Sequence, residues 1–179
     1  MRRLAATVAA SVAAVGLLVG CGSSEPASDP VVTEPGPELA HANDGNLTVD
    51  NGWVAAVRPM PSNNAANPMM TAGYAVLENN GDRPERLVAA SSGLASTVEV
   101  HRTVSVNGSA GTMRPVDQLT VPAGEVVRLE PGGYHLMLMG LKRAMKSGST
   151  VQIRLAFASG TRISVEFPVL DRTERPGTA

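Results

Sequence analysis

The chain has 179 residues, a formal net charge of -1, and a composition that is 43% hydrophobic but only 3% aromatic. That is enough apolar material for one domain plus accessories, and it carries no basic excess of the kind a nucleic-acid surface needs. The only histidines are His41, His101 and His135. With no phosphate-cradling glycine loop, metalloprotease helix or credible Ser-His-Asp set, nothing indicates enzymatic turnover.

The first twenty residues, "MRRLAATVAASVAAVGLLVG", have a short basic start and then an Ala/Val/Leu run. This is the pattern of an export signal, 1–20. The competing reading is an anchor helix, but the run falls short of the roughly 20 apolar residues that span a bilayer. The following "LLVGC" resembles the lipobox of bacterial lipoproteins, in which the cysteine becomes the acylated first residue. Cys21 is the only cysteine, so an intrachain disulfide is excluded although export would permit one. Losing Arg2 and Arg3 with the signal takes the formal charge from -1 to -3. The resemblance implies a protein held by lipid on the outer face of a membrane.

Residues 21–45, the lipidated Cys21 and the Pro-, Ser-, Gly- and acid-rich stretch after it, cannot build a core and are expected to be an extended tether. His41 lies in it and reads as a solvated side chain. From 46 to 170 the pattern changes to short apolar runs with period-two character: "LTVDNGWVAAV", "AGYAVLENNGD", "STVEVHRTVSV", "GTMRPV", "EVVRLEP", "YHLMLMG", "STVQIRLAF" and "RISVEFPV". Turn formers separate them, and "LKRAMKSG" is expected to make one short helical turn. Many short strands at this spacing predict an all-β antiparallel sandwich or small barrel. Residues 171–179 are expected to be a disordered tail.

Alternation assigns faces. Val98 and Val100 point inward in "STVEVHRT", leaving Glu99 and His101 opposite; Val151, Ile153 and Leu155 point inward, as do Ile163, Val165 and Phe167. In "YHLMLM" the same rule separates Leu136 and Leu138 from His135, Met137 and Met139. Either the leucines fill the core and the ligand-capable residues face out, or the methionines pack inside, where Met is a good filler. The imidazole, less often fully buried, tips the choice toward leucines inward. Asn107-Gly108 is a hairpin signal. Folding there sets residue 101 opposite about residue 114, which brings His101 near Met113 across neighbouring strands, with a bulge taking up the one-residue offset.

Two imidazoles and two thioethers are a soft, neutral set, with no acidic residue assigned to it. Thioethers select Cu(I); zinc, calcium and magnesium prefer other donors. A blue-copper centre needs a cysteine at the metal, and the only cysteine is at the far end of the tether. A reversible Cu(I) carrier fits this set better than a redox protein.

The spacing His101, Met113, His135, Met137 resembles the motif His-(Met)-x10-Met-x21-His-x-Met of the PCuAC copper chaperones. "AGYAVLENNGDRPERLVAASS", "VEVHRT", "MRPVDQLTVPAGEVVRLEPGGYHLMLMGLK" and "ISVEFPV" carry the resemblance further, from about Gly52 to Val169. It implies a cupredoxin-like Greek-key β-sandwich, His101, Met113, His135 and Met137 as Cu(I) ligands, and copper delivery to the CuA-bearing subunit of respiratory oxidase beside Sco-type proteins. The motif's optional second Met is Arg102 here. The His- and Met-rich tail of some relatives is replaced by "RTERPGTA", which weakens any case for a Cu(II) site.

Other methionines have plainer readings. Met60, Met69 and Met70 lie in a Pro/Asn-rich stretch and either shield the copper, hand it over, or merely cover the sandwich end. Met139 is a spare ligand or packs behind the site, Met145 packs, and Trp53 and Tyr74 are expected to be core or structural aromatics. Two other functions stay open at this level: a copper scavenger serving tolerance, and a lipoprotein sandwich that binds no metal.

Overall fold

The structure is a computed structural model that describes residues 38–58, 69–104, 111–171, 173–174 and 176. Signal, Cys21 and most of the tether lie outside these residues, as do Met60 and the Asn107-Gly108 turn.

Among the described residues every regular element is a strand: β1 (Ala40–Asp44), β2 (Leu47–Ala55), β3 (Met70–Asn79), β4 (Glu85–Ser91), β5 (Thr97–Val104), β6 (Thr112–Pro115), β7 (Leu119–Val121), β8 (Val126–Leu129), β9 (Tyr134–Met139), β10 (Thr150–Phe157) and β11 (Arg162–Leu170). Round the sheet, β5, β9, β3, β2, β11, β10 and β4 follow one another, and the Ala90–Val98 pair between β4 and β5 closes the ring. The β2–β11 pair is parallel, as is the single β8–β9 pair. The fold is thus a closed mixed barrel with extra strands, of the cupredoxin-like Greek-key kind.

The inner face is the core. Val98, Val100, Val151, Ile153, Leu155, Ile163, Val165 and Phe167 are all buried there, as alternation required. Leu136 and Leu138 of β9 are completely buried among them. Gly132 (φ +84°) and Gly140 (φ +62°) bracket β9 with left-handed turns that other residues resist.

Several expectations need correction. The tether does not run to residue 45: Ala40–Asp44 pairs with β2, and Gly52 lies so close to Ala40 and Phe167 that a side chain at position 52 would collide with both of them. A short polar stretch with only two small inward residues, Ala40 and Ala42, carries too weak a pattern to read as a strand. "LKRAMKSG" forms no helical turn; Met145 instead bridges Val57 and is buried in the core. The strands β4 and β7 were not read because they are short or carry outward apolar residues such as Val88. The tail is partly held, since Glu174 accepts hydrogen bonds from the Ser147 hydroxyl and the Asp171 N–H.

Candidate metal centre

The outer face of β5 and β9 collects the ligand-type residues by register. In antiparallel pairs, residues directly opposite share a face. His101 is opposite His135, Glu99 opposite Met137, and Thr97 opposite Met139. On the other side of β9, Met137 is opposite Ala72 and Met139 opposite Met70. Across β6, His101 is opposite Pro115 and Thr103 opposite Met113.

His101 is the hub of this grid. His135 lies straight across from it, while Met137 and Met113 are its diagonal neighbours on either side, a separation of about 7–8 Å that long side chains bridge. The expected register is one residue off, because His101 pairs with Pro115 rather than with residue 114. The parity matters: an odd offset would put Met113 on the opposite face, whereas the observed offset of two keeps it with His101 and needs no bulge.

The site is more enclosed than a wet sheet face. His135 and Met137 are 3% and 7% exposed, the His101 side chain is mostly buried, and Met113 is half exposed on the edge strand. Trp53 and Tyr74 belong to this outer face rather than to the inner core. The rings of Trp53, Tyr74, His135 and His101 form a row, with successive centroids 4.6, 6.5 and 6.0 Å apart.

Both imidazoles are oriented by one nitrogen. His101 Nε2–H donates to Glu99 Oε2 at 3.0 Å, and His135 Nδ1–H donates to the Gly133 carbonyl at 3.3 Å. The opposite nitrogens, His101 Nδ1 and His135 Nε2, are buried without a hydrogen-bond partner, and among the described residues they are the only buried side-chain nitrogens or oxygens so placed. The other buried polar side chains are satisfied: Asn79 makes three hydrogen bonds, and the Thr71 hydroxyl donates to the Ala55 carbonyl. Burial depresses the His135 pKa below its ordinary 6.5; the Gly133 bond opposes this and the neighbouring His101 adds to it. A neutral ring with one N–H held and one lone pair free is the form that binds a metal.

Contrary to expectation, an acidic residue does join the cluster: Glu99 is bonded to His101 and opposite Met137. The signal was available: Glu99 stands two residues before His101, on the same face of one strand. Of the other methionines, Met139 continues the ligand face, Met70 is opposite it and 44% exposed, and Met69 packs partly against the core.

Residues 47–169 match the family of LpqE-like lipoproteins. Lipoprotein Lxx21020 of Leifsonia xyli subsp. xyli is 35% identical over 164 residues, covering 91% of this chain and 89% of that protein. The chain belongs to the LpqE-like lipoprotein family. Its domain is also PCuAC-like. The apo solution structure of DR1885 from Deinococcus radiodurans is 36% identical, with TM-score 0.52, over 87% of this chain and 99% of that one. The Cu(I) form of DR1885 is 35% identical with the same TM-score, over 69% of this chain and 79% of that one. The copper-bound PCuAC domain of PmoF2 shares the fold at TM-score 0.58 and 19% identity, over 73% and 97%. The family is one of non-catalytic proteins.

Proposed function

We propose that this lipoprotein is an extracytoplasmic Cu(I) carrier that holds the ion with His101, Met113, His135 and Met137. The observation that carries the reading is the pair of buried, unpartnered nitrogens, His101 Nδ1 and His135 Nε2, facing the same side of the sheet as two thioethers. A buried polar atom without a partner costs free energy, and a soft cation recruited by thioethers would meet that need at both rings. Similarity to DR1885, whose Cu(I) form is known, supports the same reading. Anaerobic loading of the protein tests it: one Cu(I) per chain with mixed nitrogen and sulfur scatterers in X-ray absorption is expected, and no stoichiometric copper would overturn it.

The destination of the ion is the finer part of the proposal. By resemblance, it is delivered to the CuA-bearing subunit of a respiratory oxidase beside Sco-type proteins. Deleting the gene should lower oxidase activity in a way that added copper rescues; copper sensitivity alone would point to scavenging instead. Cys21 is the proposed lipid attachment, which places the carrier on the outer face of the membrane. Cys21→Ser should release it from the membrane fraction.

A further inference from the structure

Met70 and Met139 sit outside the four-ligand set, yet the register makes them a pair. They are directly opposite each other on β3 and β9 and share the face that carries Met137. Opposed residues have Cβ atoms about 4.5–5.5 Å apart, and the three flexible bonds of each Met side chain let two sulfurs converge on one ion from that separation. Met70 is 44% exposed, whereas Met139 is half-buried and Met137 is 7% exposed. The methionines therefore step from exposed to buried: Met70 at the surface, Met139 across from it, Met137 two residues back on the same strand, and then His135. The only neighbour opposite Met139 on its other side is Thr97, a weak competitor for a soft ion.

We propose that Met70 and Met139 form a second, weaker Cu(I) site through which the ion reaches Met137 and the two imidazoles. This rests on the Cu(I) reading above. Passage along the row is ligand exchange: a new Cu–S bond forms as the previous one breaks, the copper stays Cu(I), and no electron or proton is transferred. The row solves a problem set by burial. His135 Nε2 and Met137 do not face solvent, and a cuprous ion is best moved between soft donors rather than released into water.

Protein carrying methyl-labelled methionine is titrated anaerobically with Cu(I) and followed by NMR. The first equivalent should move the Met113 and Met137 methyl signals. Further Cu(I) should move those of Met70 and Met139 together, with at least tenfold weaker affinity. A Met70→Leu/Met139→Leu variant, close in volume to the original, should take up Cu(I) from a small-molecule donor at least fivefold more slowly while its affinity at the first site changes less than twofold. If Met113 and Met137 move but Met70 and Met139 stay still under excess Cu(I), or if the variant loads at the unaltered rate, the second site is overturned and the carrier stands. If no methionine methyl responds at all, the carrier reading falls with it.

Discussion

The two faces of β9 are both buried along the middle of the strand but differ in what they still require. Inward, Leu136 and Leu138 are completely buried against Val98 and Val100 and have no polar atom to satisfy. Outward, His135 and Met137 are nearly as buried, yet one ring nitrogen there lacks a partner. Burial on the inner face is complete as a contribution to folding. On the outer face it leaves an unmet bonding capacity, and this is how one strand serves both stability and ligand binding.

The largest expected effect tests the inner face. Leu138→Ala should destabilise the protein by about 2–5 kcal/mol, read from urea unfolding, while the folded fraction still binds Cu(I). His135→Leu should do the reverse. It removes a buried nitrogen that has no partner, and the Gly133 carbonyl that loses the Nδ1–H bond keeps the Thr103 N–H, so apo stability should hold or rise, while Cu(I) affinity in a competition titration falls by more than the roughly 100-fold that losing a supporting residue can cost. Equal destabilisation by both variants would erase the distinction between the faces.

Glu99 sharpens the outer face. Glu99→Ala should weaken Cu(I) binding by about 10–100-fold and let the His101 proton leave Nε2, a change visible in the ring nitrogen shifts of the apo protein. Glu99→Gln keeps an acceptor oxygen but not the negative charge, so it should preserve the tautomer and lose less affinity. An unchanged His101 tautomer in Glu99→Ala would remove Glu99 from its orienting role.

The smallest effect is in pH. The His135 pKa is lowered on folding, so the unfolded chain binds the proton more readily. The stability from the neutral ring is full above 6.5 and is lost as pH falls from there through the lower folded value. Urea midpoints should drop across that window in the unaltered protein and less steeply in His135→Leu. Glu174, also lowered, contributes in a separate window: its stabilisation is present above 4.5 and is lost as pH falls below it.

Much of this was legible in the sequence because strand alternation fixes faces without any knowledge of partners. It separated Leu136 and Leu138 from His135 and Met137, and it turned eight apolar runs into an all-β barrel. What it missed depends on pairing. The depth of His135 and Met137 is a property of what covers a face, and period-two patterning does not encode it. The His101–Met113 relation needed a connection length, and a one-residue error there changes the face. β1 enters the barrel through Ala40, whose only advantage is being small enough to lie on Gly52. Glu99 was hidden by its type, since a carboxylate on an outward face ordinarily reads as solvated.

The position of Met113 has one more consequence. Strands β5 and β9, which carry His101, His135 and Met137, are locked into the closed ring, whereas β6 is an edge of four exposed residues that, among the described residues, pairs with β5 alone. In the proposed ligand set, one of the four bonds to copper therefore hangs on a short flap that can fray while the barrel stays whole. A partner that lifts this flap would loosen the grip on the cargo by one sulfur, so release need not involve any unfolding of the carrier.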